Sequence, residues 1–322
     1  MYIKENKKKL LIISPSFFGY REIISNQLTD LFLIKSCNDK AYDTKLFKFI
    51  GRSSSFLFNL INKSFFNAMY PMILNDNYAY VLIIKGEGVT CDFLKRLKKI
   101  SPNIKIIIYF YDSHKNMGKE SFHFKKFADH VLSFDINDCK KYNYNYLPLF
   151  YSNDYKKLHK SKTIDFLFIG TCHTDRVKIL KKFLLLNKLT SFKFVLYFRT
   201  KIDFYFYKLL NLKFFNNPNV RVTFQPMQHK EINYYYNLSN NVIDIERSVQ
   251  SGLTIRTMEV LATGCRLVTT NPYFRDANFS NVLFIDRKVP LINKLTKSSN
   301  KKFAPLSLND WINKLSGRFF KI

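Results

Sequence analysis

Acidic residues are scarce in this chain. It carries 24 Asp and Glu against 52 Lys and Arg, for a net charge of +28 over 322 residues. Such a balance attracts polyanions: nucleic acid, anionic lipid or phosphorylated glycolipid. Lys, Asn, Ile, Phe and Tyr are all abundant, a bias that accounts for some of the lysines, yet basic residues outnumber acids throughout. Cysteine is equally sparse. Cys37, Cys91, Cys139, Cys172 and Cys265 are scattered, odd in number and form no C-x-x-C pair, which argues against a disulfide framework and against a zinc site. No apolar run approaches the roughly 18 residues of a membrane span. The opening MYIKENKKKLLIISPSFF has a basic lead, but its apolar core at 10–13 is too short for a signal peptide and is broken by Pro15, so a first β-strand and a cytosolic protein are expected. Repeats at solenoid periods, zinc-finger and RNP-type patterns and a clear Asp-x-Asp metal motif are all absent. Nucleic acid is therefore not expected as a partner, and attachment to a membrane surface is favoured over it.

What is present is core. Hydrophobic content is 47%, ample for packed domains, and the length suits two domains of about 150 residues each. Short apolar strands alternate with helical segments, the pattern of parallel sheets covered on both faces. In the first half, strands are expected at 10–14, 79–84, 105–110 and 130–134, with helices at 21–33, 53–74, 91–100 and just after Asp135. Residues 147–162 are polar and basic and read as a linker. The alternation restarts with strands at 166–169, 192–198, 220–224, 242–245, 267–270 and 282–285. Helices are expected from Thr174 or Asp175 to 187, at 231–237, and at 310–315 around the only tryptophan, Trp311. This gives domains at 1–150 and 163–322. In doubly wound α/β domains ligands lie beyond the carboxyl ends of the strands. That rule selects Phe17-Phe18-Gly19, 85–87, Asp112 to His114 and Asp135 in the first half. In the second it selects 170–176, 225–227 and 250–254.

The most informative stretch is 242–271, VIDIERSVQSGLTIRTMEVLATGCRLVTTN. It reads as strand, polar loop, helix from about Leu253 to Thr263, a left-handed stop at Gly264, and strand. Backbone N–H groups at a helix start behind Ser251-Gly252 favour an anion. Gly252, Arg256 and Glu259 are spaced i, i+4, i+7, on one stripe of that helix. A cation and a carboxylate there suit a phosphate and a ribose hydroxyl, although Arg256 and Glu259 also have the spacing of a surface ion pair.

The run QSGLTIRTMEVLATGCRLVTTN resembles the donor-binding segment of bacterial glycosyltransferases of the lipopolysaccharide and capsular polysaccharide type. IKIIIYFYDSHKN and ADHVLSFDINDCKKYNYNYLPLFY resemble the same group more loosely. The resemblance implies the GT-B fold, α/β with two Rossmann-like domains facing each other across a cleft, the first acceptor-side and the second binding the nucleotide-sugar. It implies transfer of a sugar to a lipopolysaccharide, O-antigen or capsule glycan. The acceptor would be an anionic glycolipid or oligosaccharide, met peripherally at the cytoplasmic face of the inner membrane. It also implies a helix start that holds the diphosphate and a glutamate, here Glu259, that binds ribose. The superfamily's earlier glutamate, eight residues before, is Ser251 here, so its two-glutamate motif is incomplete.

Glycosyl transfer needs charge stabilisation on the leaving diphosphate and, in the inverting case, a base for the acceptor hydroxyl. The donor-side candidates are Gln250, Ser251, Gly252, Leu253, Thr254, Arg256 and Glu259, with Gly170 and Arg176 from the preceding strand end. A helix start and cations suffice to offset a diphosphate, so metal independence and no cofactor are expected. The Asp-Ile-Glu triplet, Asp244 and Glu246, suits packing or loop ordering. Base candidates are Asp112, His114 and Asp135. Asp112 and Asp135 are also placed to cap the helices after them, and His114 to be structural. The fold also admits a sugar-nucleotide epimerase, and the charge admits a non-enzymatic protein that binds nucleic acid or anionic lipid.

Overall fold

Runs of Leu, Ile, Val and Phe too short for helices form strands buried on both faces. The computed structural model describes residues 7–16, 19–117, 119–173, 175–187, 191–247, 251–292 and 300–320. The chain divides into two compact units, Met1–Pro148 with Asn309–Ile322, and Leu149–Leu308.

The first unit runs β1 (Lys9–Ile13), α1 (Tyr20–Leu28), β2 (Leu33–Cys37), α2 (Lys45–Ser53), α3 (Ser55–Asn67), α4 (Tyr70–Asp76), β3 (Tyr80–Ile84), α5 (Cys91–Ile100), β4 (Lys105–Phe110), β5 (His130–Ser133), α6 (Ile136–Tyr142) and β6 (Asn145–Tyr146). Its strands pair in parallel in the order β2-β1-β3-β4-β5-β6. Leu11, Ile13, Val81, Ile83, Ile106, Ile108 and Phe110 face α3, α4 and α5 in one core. Tyr80 and Tyr109 point the other way, as period two requires. The helix expected over 21–33 ends at Leu28, and Leu33–Cys37 is instead an edge strand whose Leu33 N–H donates to the Lys8 carbonyl. The ladder to β1 there overrides local helical pattern.

The second unit runs β7 (Ile164–Thr171), α7 (Arg176–Asn187), β8 (Phe192–Tyr197), α8 (Lys201–Leu210), α9 (Leu212–Phe215), β9 (Val220–Thr223), α10 (His229–Asn237), β10 (Ser239–Asp244), α11 (Ile255–Ala262), β11 (Arg266–Thr269) and β12 (Val282–Phe284). Its parallel order is β12-β11-β10-β7-β8-β9. Counted within the unit this is the 3-2-1-4-5-6 order of a dinucleotide-binding sheet, and its direction of winding reverses between β7 and β10. Phe168, Phe194 and Ile243 pack under α7 on one face, and Leu167, Val242 and Leu267 meet Met258 and Leu261 of α11 on the other.

The last helix, α12 (Leu308–Phe319), returns to the first unit. Trp311, fully buried, meets Tyr109 edge-on at 5.2 Å, and Phe320 lies 4.9 Å from both Phe32 and Tyr80. These contacts cover the first sheet's second face, so residues 309–322 belong with 1–148 rather than with the 163–322 expected from sequence.

Candidate functional site

The winding reversal in the second unit places the carboxyl ends of β7 and β10 side by side, and the charged residues gather there. Arg176 opens α7 and is 7% exposed. Its Nε donates to the Ile245 carbonyl at 2.9 Å and its Nη1 to the Thr171 carbonyl at 2.9 Å, tying the two strand ends together. It is not a solvated first-turn arginine. Arg256 shares the space. Its Cζ lies 5.7 Å from the Phe168 ring centre, and that of Arg176 lies 5.9 Å from it. Gly170 makes room for both, because a Cβ there would sit 3.0 Å from Arg256 Nη2 and 3.4 Å from Arg176 Nη1.

Asp244 ends β10 with 0% exposure and organises the helix start. Its Oδ2 accepts from Thr254 Oγ1 at 2.6 Å and Thr257 Oγ1 at 3.1 Å, and its Oδ1 accepts from Arg256 Nη1 at 3.1 Å. Thr254 is the N-cap, its Oγ1 accepting from the Thr257 N–H at 3.2 Å. The amides of Ile255 and Arg256 thus stand at first-turn positions, which have no intrahelical acceptor. Helix α11 begins two residues later than the spacing predicts. Gly252 therefore lies outside it, with its carbonyl held by Asn271 Nδ2 at 3.1 Å, and only Arg256 and Glu259 share a helical face. Leu253 puts its side chain into the core, Ser251 is half-buried, and Gln250 and Thr174 lie outside the described residues. Gly264 follows the helix at φ +77°, the left-handed stop expected of it.

Arg176 and Arg256 are brought close enough here for their charges to act on each other. Burial works against the charge on Arg256, and Asp244, then Tyr236 and Glu259, hold it. Burial, then the Arg256 charge, disfavours the cationic form of Arg176. Guanidinium stays protonated in proteins, so Arg176 remains a buried cation beside Arg256. His173 lies within reach of these charges. Burial and the charges of Arg176, Arg247 and Arg256 push its pKa down to about 3. His173 lay within the strand-end run 170–176, but only the folded chain sets three arginines around it.

Glu259 sits one turn along α11 at 6% exposure. The Tyr155 phenol hydrogen-bonds its carboxylate and lies 2.8 Å from His229 Nδ1. A phenol has one proton. If it is given to the carboxylate, His229 must donate from Nδ1. Tyr155 and His229 thereby orient the carboxylate, and neither had a sequence signal. Glu246, 2% exposed, accepts from Thr270 Oγ1 at 2.7 Å and pairs with Arg287 at 2.8 Å. Both carboxylates of the Asp-Ile-Glu triplet are thus engaged in ordering loops.

The three base candidates of the first unit fare differently. Asp135 is 2% exposed and caps α6, accepting from the Asn137 and Asp138 N–H groups and from Ser113 Oγ at 2.8 Å. His114 has 0% exposure inside a ring of Phe110, Phe122, Tyr142 and Tyr144. Its Nε2 is 3.0 Å from Ser121 Oγ, while Nδ1 has no hydrogen-bond partner among the described residues. The His114 ring is enclosed and the Asp135 carboxylate is occupied by its cap and by Ser113, so neither is offered to solvent. Asp112 stays half-buried, its Oδ1 accepting from the Ser113 N–H at 2.9 Å and Asn116 Nδ2 at 2.8 Å.

Burial, with Lys141 adding to it, lowers the His114 pKa from 6.5 to about 4. Between those values the unfolded chain binds a proton that the folded ring refuses. The contribution to stability is full above pH 6.5 and is lost as the pH falls towards 4. His114→Phe is expected to flatten this part of a plot of denaturation midpoint against pH. An unchanged slope would assign the titration elsewhere.

No protein-family model matches this sequence, and no curated protein does. Solved structures do resemble the fold. A glycosyltransferase from Rickettsia africae ESF-5 is 11% identical with a TM-score of 0.55, covering 97% of this chain and 88% of its own. The UDP-GlcNAc 2-epimerase of Methanocaldococcus jannaschii, in complex with UDP-GlcNAc and UDP, is 9% identical with a TM-score of 0.57, covering 97% and 99%. An Anabaena protein in complex with UDP and glucose is 9% identical with a TM-score of 0.54, covering 96% and 89%. At such identities the likeness extends to architecture, and with the two parallel six-stranded sheets it makes this an α/β chain of two Rossmann-like domains, the GT-B fold.

Proposed function

We propose that the chain is a glycosyltransferase that moves a sugar from a nucleotide-sugar donor to a lipopolysaccharide, O-antigen or capsule acceptor. The observation that carries the donor half is the pairing of Arg176 and Arg256 over Gly170 at the β7–β10 reversal, with Glu259 one turn beyond. In this reading the diphosphate lies against the Thr254-capped helix start, between the two arginines, and its charge is met there without a metal. Ser251 and Gly252 line the approach, and Glu259 accepts from the ribose hydroxyls. Asp112, the base candidate that remains accessible, takes the acceptor proton. The acceptor class rests on the resemblance of 242–271 and on the net charge of +28. The same charge supports peripheral work at the cytoplasmic face of the inner membrane, and among the described residues no helix is long and apolar enough to cross one. The epimerase reading stays beside this one, because the fold likeness to an epimerase is as good as that to a glycosyltransferase.

A panel of nucleoside diphosphates, UDP and ADP among them, tests the donor site. The cognate nucleotide should raise the melting temperature, since it binds the folded state. It should also raise the His173 pKa from about 3, because an anion between the arginines offsets the charges that depress it. NMR titration of the ring protons reads this directly. Binding that leaves His173 unmoved would put the diphosphate elsewhere. Nucleotide-sugar incubated without acceptor then separates the two enzymes: rapid epimer formation favours the epimerase.

A further inference from the structure

The outer face of α3 and α5 in the first unit holds a cavity of about 290 Å³. Phe93 and Tyr70 form part of its wall, and Lys63, Lys95, Arg96 and Lys99 surround it. Asp92, paired with Lys63 at 2.7 Å, is the one carboxylate in its lining. Arg96 Cζ lies over the Tyr70 ring, 4.1 Å from its centre, and Nη1 donates to Asn67 Oδ1 at 3.4 Å. Four cations against one carboxylate, over an aromatic wall, suit a phosphate ester.

The approach to the cavity has a second character. Phe56, Leu60, Lys63 and Asn67 fall at i, i+4, i+7 and i+11 on α3, one stripe of the helix. Its far end is apolar and exposed, with Phe56 at 73% and Leu60 at 53%, and its near end enters the cavity. Leu46 and Phe49 of neighbouring α2 are exposed as well. An apolar run that leads into a basic cavity matches an amphiphile with an anionic head. A second copy of this chain, itself at +28, has the wrong charge for that rim.

We propose that this cavity seats the phosphate headgroup of an anionic phospholipid while Phe56 and Leu60 enter the acyl layer beside it. The assignment rests on the peripheral-membrane reading above and gives it a location. Vesicle flotation tests it, with phosphatidylcholine vesicles carrying phosphatidylglycerol. A lysine near an anionic surface contributes about fivefold in affinity, so Lys95→Ala with Lys99→Ala should weaken binding roughly 25-fold. Phe56→Ser with Leu60→Ser should weaken it at least about tenfold while leaving thermal stability unchanged, since both side chains are exposed. Lys314→Ala with Arg318→Ala on α12, where both side chains are exposed and no large hydrophobic beside them is, serves as the charge-matched control. An equal loss in that control, or full binding by the cavity variants, overturns the headgroup site but leaves membrane attachment standing. Absence of vesicle binding by the unaltered protein overturns both. Inorganic phosphate that binds the cavity of a protein indifferent to vesicles overturns the lipid assignment. The nucleotide melting shift should persist in every variant.

Discussion

Glu259→Ala is expected to weaken nucleotide-sugar binding about 10- to 100-fold and to reduce transfer accordingly. The magnitude follows from the bond removed, because a hydrogen bond to a charged group contributes about 1.5–3 kcal/mol, and ~1.4 kcal/mol is a factor of ten. The fold should survive. With the carboxylate gone, the Tyr155 phenol can give its proton to His229 Nδ1, 2.8 Å away, so no buried donor is stranded. Glu259→Gln keeps an acceptor oxygen and loses the charge, and should fall between the two. Calorimetric titration with the cognate nucleoside diphosphate measures the loss, and circular dichroism monitors the fold. An alanine variant that binds like the parent removes Glu259 from the donor site.

The parts of this site legible in the sequence are those fixed by local chemistry. Val242 to Asn271 announces strand, loop, helix and strand through an apolar run, a Ser-Gly turn, a spaced apolar face and a glycine able to take φ +77°. What pattern reading missed is set by tertiary contact. The helix start moved because Asp244, ten residues away, takes the Thr254 hydroxyl and makes that residue the cap. The role of Arg176 depends on the Ile245 carbonyl, 69 positions along the chain. Edge strand β2 is mostly exposed and has no alternation to read. Helix α8 escaped for a related reason: it buries no residue fully and exposes Ile202, Tyr205, Phe206, Leu209 and Leu210, so apolar periodicity is lost. His114 shows the limit on the chemical side. Its residue type suits a base at neutral pH, and only burial among four aromatic rings turns it into packing.

Asp244→Ala is expected to destabilise the second unit by about 3–5 kcal/mol, the usual cost of stranding one partner of a buried ion pair. For a unit of this size that lowers its melting temperature by roughly 6–20 °C. Three groups lose their acceptor at once: the Arg256 guanidinium and the Thr254 and Thr257 hydroxyls. Asp244→Asn retains an oxygen for the threonines and should cost less. Urea denaturation followed on the second unit's transition reads the difference, and a midpoint equal to the parent's would deny Asp244 its organising role. The double variant Asp244→Ala with Arg256→Ala should lose less than the sum of the two single changes, because the stranded charge is then gone as well. It also separates the two uses of the network. Arg256 is neutralised in part by Asp244, whereas Arg176 is held by carbonyl oxygens with no carboxylate hydrogen-bonded to it among the described residues. A double variant that regains stability should therefore keep residual diphosphate affinity through Arg176, and losing Arg176 in turn should abolish it.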